Sequence, residues 1–193
     1  MAMTEDVRII GDRLAPLPGR WVIDATHSQL EFEARHLMIA KARGRFSDFS
    51  GTITIGDAPE RSSVEALINA ASIDTGDPQR DAHLRSPDFL DVETYPVIRY
   101  QSTAVRPGRG EHWEVDGELT VRDMVRPVML DVEFGGSVRD PWGKLRSSFF
   151  ASAEIDREEF GVTWNQALET GGFLLGKTVK VQVNVEAVRE DSD

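Results

Sequence analysis

The clearest structural signal lies in residues 179–187, which read Val-Lys-Val-Gln-Val-Asn-Val-Glu-Ala. An apolar residue stands at every odd position and a polar residue at every even one. Successive side chains of a β-strand point to opposite faces, so this alternation is typical of a strand with one dry and one wet face. The stretch predicts a long strand that borders an apolar interior.

The same two-residue period recurs along the chain, between segments rich in glycine, proline and aspartate that favour turns. The further segments are residues 30–35, 51–55, 64–73, 97–103, 113–121, 128–134 and 147–155. They predict an all-β fold of about eight antiparallel strands, either an up-and-down barrel or a sandwich. Closure into a barrel is favoured because it leaves no exposed strand edges.

One segment in the middle of the chain is predicted to be helical. Asp77 suits the N-cap, Pro78 suits the first helical position, and residues 79–85 follow. The helix is expected either to cover a barrel mouth or to pack outside. Residues 14–19 contain two prolines and a glycine, which is typical of a linker. We therefore expect an N-terminal arm over 1–20, a barrel domain over 21–188 and a tail over 189–193.

Composition narrows the classes of function. The chain has 193 residues, a formal net charge of -11 and no cysteine, which excludes disulfides and thiolate nucleophiles. So acidic a surface repels phosphate backbones, and no nucleic acid partner is expected. No apolar stretch follows a basic start, and every apolar run is too short to span a bilayer. We expect a cytoplasmic protein that is not membrane-spanning.

The histidines offer weak signals for chemistry. The chain has four, His27, His36, His83 and His112, and none of their spacings suits a zinc helix or finger. A hydrogen-bonded structural role is the favoured interpretation for each. No metal and no catalytic residue is therefore predicted.

Residues 171–178, Gly-Gly-Phe-Leu-Leu-Gly-Lys-Thr, match the phosphate-binding P-loop pattern. That pattern requires a helix after it, so that the helix N-terminus meets the phosphate. Here Lys177 and Thr178 lead directly into the strongest predicted strand. We interpret the segment as a glycine-rich hairpin loop instead.

Several short stretches, in this order from about Trp21 to Glu186, resemble one family. They are Trp21-Val22-Ile23-Asp24, His27-Ser28, Phe32, His36-Leu37, Gly44-Arg45-Phe46, Phe49-Ser50-Gly51, Ser72-Ile73-Asp74-Thr75, Arg80-Asp81, His83-Leu84-Arg85-Ser86, Asp88-Phe89, Tyr95-Pro96, Gly117-Glu118-Leu119-Thr120-Val121, Arg126-Pro127-Val128, Asp156-Arg157 and Phe160-Gly161-Val162. The chain resembles the YceI-like family of polyisoprenoid-binding, lipocalin-like proteins. The resemblance implies an antiparallel barrel with a helix and an elongated apolar cavity. It also implies a polyisoprenoid-type lipid as a non-covalent ligand, with no obligatory cofactor.

The leading hypothesis is a carrier or store for such an apolar small molecule. Strand parity predicts the residues that line the ligand cavity and contact the ligand. They are Leu30, Phe32, Phe46, Phe49, Ile53, Ile68, Phe89, Tyr100, Trp113 and Val183, with His36 near the polar end of the cavity. Two alternatives stay open. One is an enzyme acting on a lipid or small metabolite, with His27, His36 or His83 as acid or base. The other is a filled-core barrel that serves as an interaction module, and a homodimer is compatible with any of the three.

Overall fold

A computed structural model of the protein describes residues 6–37, 39–167 and 174–190. In chain order its strands are β1 (Val7–Ile10), β2 (Arg13–Pro16), β3 (Gly19–Ile23), β4 (Gln29–His36), β5 (Ala40–Phe46), β6 (Phe49–Ile55), β7 (Ser63–Asn69), β8 (Ile73–Asp74), β9 (Val97–Pro107), β10 (Trp113–Val121), β11 (Met124–Arg139), β12 (Leu145–Asp156) and β13 (Leu175–Arg189). The described residues also form one α-helix, α1 (Pro78–Arg85), and 3-10 helices at Ala25–His27, Pro59–Arg61, Ala70–Ser72 and Arg157–Phe160.

Eight of these strands form a closed antiparallel barrel. Their order around it is β3-β6-β7-β9-β10-β11-β12-β13, and β13 pairs with β3 to close the ring. Residues 179–187 lie in β13, which pairs with β12 from Val188 opposite Arg146 to Thr178 opposite Asp156. The predicted all-β barrel of about eight strands is confirmed. The barrel strands run from Gly19 to Arg189.

Strands β4 and β5 extend from this ring. Residues Leu175 to Asn184 of β13 pair with β4, whereas its last three residues pair with β3. The 3-10 turn at Ala25–His27 separates β3 from β4, and the Asp24 side chain caps this turn by accepting from the Thr26 N–H at 3.1 Å. Strand β5 pairs with β4 and with the short β8. The sheet therefore continues past the barrel on one side.

The predicted helix is confirmed together with its cap. The Asp77 carboxylate accepts from the backbone N–H groups of Gln79 and Arg80, and Pro78 occupies the first turn. The buried Asp81 accepts from the Thr75 backbone N–H and hydroxyl at 2.9 and 2.6 Å, which fixes α1 to β8. Within the described ranges, no helix is long and apolar enough to cross a membrane.

Packed apolar side chains close the barrel end beside α1, which we call the helix end. Its buried core consists of Ala70, Phe89, Ile98, Val121, Phe160 and Val162. Leu84 of α1 packs against this core, so the helical segment covers a barrel mouth. The buried guanidinium of Arg157 donates to the carbonyls of Val162, Trp164 and Gly176, which ties residues 162–164 to β13.

The opposite end, which we call the hairpin end, is formed by the turns at 56–62, 108–112 and 140–144. Part of the predicted arm, residues 7–16, folds here as an antiparallel hairpin of β1 and β2, with Val7 opposite Pro16. The Arg13 guanidinium donates to the Gly108 carbonyl at 3.0 Å, and Arg139 pairs with Asp6 at 2.9 Å. These contacts hold the hairpin across the barrel end.

The segment that matches the P-loop pattern has no helix after it. Lys177 and Thr178 lie inside β13, and Lys177 pairs with Glu158 at 2.7 Å. Gly171, Gly172 and Phe173 lie outside the described residues. The strand that follows the motif cannot offer a helix N-terminus to phosphate.

Candidate functional site

The barrel encloses a cavity of about 210 Å³ between the two ends. Its wall is almost entirely apolar, because the inward-facing positions of the barrel strands carry valine, leucine, isoleucine, alanine and aromatic residues. In β13, for example, the cavity is lined by Val181, Val183 and Val185, which alternate with the outward-facing Gln182 and Asn184. The interior therefore suits a ligand that makes few polar contacts.

Seven of the residues predicted to meet a ligand line this cavity. They are Leu30, Phe49, Ile53, Ile68, Tyr100, Trp113 and Val183. They come from five different barrel strands and from the start of β4. Their contact with a ligand stays a prediction, but the structure brings them to one wall.

The structure places Phe32, Phe46, Phe89 and His36 away from the cavity wall. The Phe32 ring packs against Phe46 at 5.6 Å, and Phe46 joins the apolar core of the helix end. Phe89 is buried in that core, with its ring 5.3 Å from Trp164. Parity assigned Phe32 to the correct face of β4. However, Phe32, Phe46 and Phe89 all lie beyond the end of the cavity.

His36 lies farther along the same strand. It is six residues beyond Leu30, which corresponds to roughly 20 Å along an extended strand. Its backbone neighbours are Ala40 of β5 and Leu175 of β13. His36 is not among the described residues that line the cavity, whose charged and hydroxyl side chains at the hairpin end are Arg8, Ser62 and Ser63.

Among the lining residues that sequence reasoning missed, two groups show why they were missed. One group lies in β10, β11 and β12 and comprises Val115, Leu119, Val128, Leu130, Val132, Phe134, Phe149, Ala151, Ala153 and Ile155. The two-residue period of these strands already indicated the inward side. The other group is Arg8, Ile10, Ala15 and Pro16 of the hairpin. No alternation marks such short strands, so this group carried no sequence signal.

Tyr100 supplies a polar group deep in the cavity wall. Its hydroxyl lies 3.0 Å from the Val115 carbonyl and 3.2 Å from the Val128 carbonyl. Burial raises the pKa of the Tyr100 phenol, so the side chain stays protonated. Gly117 makes room for it, since a Cβ at that position would collide with the Tyr100 ring. The hydroxyl is satisfied within the protein and does not need a ligand.

The enzyme alternative required a histidine acid or base in a cleft. Among the described residues, the cavity lining contains no histidine. His27, His83 and His112 instead contact Asp24, Asp88 and Asp131 at 2.8–2.9 Å on the protein surface. His112 and Asp131 also line a separate, polar surface pocket, whereas the enzyme alternative named His27, His36 and His83, none of which lines the apolar cavity.

One surface cluster has the residue types of a metal site. Ligand atoms of Asp24, His27 and Glu186 lie within 4.8 Å of one another. However, one Arg146 nitrogen contacts Asp24 at 2.9 Å and Glu186 at 2.6 Å, and another contacts Asp140 at 2.9 Å. The guanidinium already supplies the positive charge that the carboxylates require. We therefore interpret the cluster as an ion-pair network that joins β12 and β13 to the turn after β3.

Replacing Arg146 by alanine is expected to change how stability depends on pH. Hydrogen bonds from Arg146 and then His27 lower the pKa of Asp24 from 3.8 to about 2. A lowered carboxyl pKa stabilises the folded state above pH 3.8, and the contribution is lost as the pH falls towards 2. With screening by solvent, this loss amounts to about 1 kcal/mol for Asp24. Arg146→Ala should be less stable than the parent at pH 7, and the difference should narrow between pH 4 and pH 2.

Urea unfolding at a series of pH values measures this effect. Arg99→Ala is the matched control, because Arg99 forms an exposed pair with Glu65 at 2.6 Å and such pairs contribute little. A stability difference between Arg146→Ala and the parent that stays constant down to pH 2 would contradict the assignment to Asp24.

A closed antiparallel barrel with an apolar interior defines a lipocalin-like class of fold. The chain matches the family model of the YceI-like domain over residues 21–187, and it belongs to this family. The hairpin at 7–16 lies outside the matched residues.

Similarity to known proteins supports this family assignment. Two Staphylococcus aureus proteins named UPF0312, from strains N315 and USA300, are each 35% identical to the chain over 169 residues, which cover 86% of this chain and 95% of theirs. The fold is similar to that of Burkholderia cenocepacia BcnA, with a TM-score of 0.74 and 22% identity over 85% of this chain and 98% of that one. It is also similar to a Campylobacter jejuni YCEI protein, with a TM-score of 0.70 and 26% identity over 81% and 90% of the two chains.

A further solved structure is a polyisoprenoid binding domain from Saccharophagus degradans. It has a TM-score of 0.64 and 17% identity, and the match covers 90% of this chain and 100% of that one. At this identity the likeness concerns the fold.

Proposed function

We propose that the protein binds a long apolar lipid of the isoprenoid type in the barrel cavity and acts as its carrier or store. The observation that supports this proposal best is the cavity itself, about 210 Å³ in volume and walled by apolar side chains from every barrel strand. A filled-core interaction module would not require such a space. The polyisoprenoid-binding name of the Saccharophagus degradans structure agrees with the proposal.

Burial of apolar surface can provide enough free energy to bind such a ligand without many polar contacts. A long prenyl chain buries roughly 500 Å² of apolar surface, which corresponds to about 12 kcal/mol before losses. Ordering the flexible chain and losing its free motion offset a large part of this. A micromolar or tighter dissociation constant is then expected.

Mass spectrometry of an organic extract of the purified protein tests the proposal. We expect an isoprenoid or a similar lipid in near-stoichiometric amount. If the protein is purified empty, calorimetry with added geranylgeraniol should show binding with a negative heat-capacity change, which is the mark of apolar burial. A clean extract together with no uptake of geranylgeraniol would refute the proposal.

A further inference from the structure

Arg8 is the single charged side chain among the described residues that line the cavity. It stands at the hairpin end, on β1, where the remainder of the wall is apolar apart from two serines. Within the described chain, no carboxylate lies within ion-pair distance of Arg8, and Asp57 is the acidic group whose charge acts on it. Burial lowers the pKa of Arg8, so its charge lies in a partly desolvated place.

Backbone carbonyls fix the guanidinium in position. Its Nε donates to the Pro16 carbonyl at 3.0 Å, and its two terminal nitrogens donate to the carbonyls of Asp57 at 2.9 Å and Gly56 at 2.5 Å. A guanidinium has five N–H groups, so these three bonds leave two. The carbonyls orient the side chain but do not neutralise its charge.

A hydroxyl donor accompanies this charge. Ser62 also lines the cavity, and its Oγ accepts from the Gly56 N–H at 3.0 Å. That bond occupies a lone pair and leaves the hydroxyl hydrogen to be donated. Because Gly56 contacts both side chains, Arg8 and Ser62 lie at one corner of the cavity. No acidic side chain among the described residues lines the same wall.

We infer that Arg8 and Ser62 form a headgroup subsite and that the ligand has an anionic oxygen headgroup, such as a carboxylate or phosphate, on its apolar chain. An oxyanion supplies the acceptors that this donor corner lacks and pairs with the guanidinium charge. The headgroup then lies at the hairpin end and the chain extends towards the helix end. The inference rests on the proposed function. Arg8 lies outside residues 21–187, which match the family model, whereas Ser62 lies within them, so the charged half of the subsite comes from the N-terminal hairpin.

Two probes with the same chain test the headgroup, geranylgeranoic acid and geranylgeraniol, with dissociation constants measured by calorimetry at neutral pH. We expect the parent protein to bind the acid about 10-fold more tightly than the alcohol, as a charge-assisted hydrogen bond provides. The Arg8→Gln variant should bind the acid about 10-fold more weakly than the parent does, while its affinity for the alcohol should change by less than about 2-fold. Arg61→Gln is the matched control, because it removes an equal charge from the turn that Arg8 contacts, at a residue that does not line the cavity. It should leave both affinities unchanged.

Each other outcome is decisive. Equal affinities of the parent for the two probes would overturn the headgroup subsite while leaving lipid binding intact. If Arg8→Gln lowered the affinity for both probes equally, the headgroup subsite would also be overturned, since Arg8 would then only hold the hairpin in place. If Arg61→Gln weakened binding of the acid as much as Arg8→Gln does, the preference for the acid would come from the net surface charge, and the subsite would be overturned. If the parent bound neither probe, the proposed function would fail, and the subsite with it.

Discussion

Replacing Ala151 by tryptophan is expected to abolish binding of geranylgeraniol, with a loss of affinity of about 100-fold or more. Ala151 lies at the middle of β12, opposite Val132 of β11 and Val183 of β13, and all three line the cavity. An indole at this position occupies much of a space of about 210 Å³ that the ligand would otherwise fill. Calorimetry and thermal unfolding of the same preparations measure binding and folding together.

Two further variants test whether the loss of affinity comes from the volume that the new side chain occupies in the cavity. Ala151→Leu adds a smaller group and should give an intermediate loss, so a graded series reports occupied volume. Ser152→Trp is the matched control, because Ser152 is the exposed neighbour on the outer face of the same strand and should leave binding unchanged. Overpacking costs about 1–3 kcal/mol, which a barrel of this size should survive. Undiminished binding by a folded Ala151→Trp would show that the ligand lies elsewhere.

Local patterns predicted seven of the eight barrel strands, together with β4 and α1, although β3 and β5 were not predicted. The alternation in residues 179–187 identified β13 and its inward face, and Val181, Val183 and Val185 do line the cavity. The pair Asp77-Pro78 identified the start of α1, because a side-chain cap and a fixed proline φ act within one turn. Such signals depend on neighbours in sequence, so they can be interpreted without knowledge of the tertiary structure.

The extent of the cavity could not be predicted in this way. Parity assigns a side chain to a face of the sheet but not to a height in the barrel. Phe32 follows Leu30 on the same face, yet only Leu30 meets the cavity. Where the cavity ends depends on the core of the helix end, which combines Phe89, Phe160 and Val162 from distant parts of the chain.

Parity also fails where a strand is irregular. The pairing of β11 with β12 shifts between Phe134 and Gly136, and Gly136 has a φ of 108°. Beyond this irregularity the inward side changes, so that Ser137 contacts the buried Ser147 hydroxyl at 2.7 Å while Val138 is exposed. A strict alternation would have placed Val138 on the wrong face. From the sequence alone, the adjacent Gly135 and Gly136 favour a turn and do not reveal this irregularity.

The N-terminal hairpin shows a third limit. Prolines at 16 and 18 favoured a linker, but a proline is tolerated at the end of an edge strand, which is where Pro16 lies in β2. What stabilises the hairpin is its docking through Arg8, Arg13 and Asp6 to turns and a strand far along the chain. Contacts of this kind leave no periodic trace in the sequence.

Removing residues 1–16 is expected to accelerate ligand release about 10-fold or more, because the hairpin end then opens to solvent. Ile10, Ala15 and Pro16 line the cavity from the hairpin, whereas the helix end is closed by a packed core. The eight barrel strands begin at Gly19, so the shortened chain retains all of them. Leu17 is kept, since its carbonyl accepts from the Trp21 indole at 3.2 Å. Stopped-flow transfer of bound geranylgeraniol to acceptor vesicles measures the dissociation rate.

A deletion of residues 1–5 alone controls for the altered N-terminus, since it leaves both strands of the hairpin and their contacts in place. Its release rate should equal that of the parent, and circular dichroism should show the same strand content for all three proteins. Affinity in the longer deletion should fall mainly through the dissociation rate, because the apolar wall below the hairpin is unchanged. An unchanged release rate in a folded barrel that lacks residues 1–16 would mean that the ligand leaves through the helix end. The core around Phe89 and Phe160 would then have to open, and the hairpin would serve as a fixed cover instead of a route for the ligand.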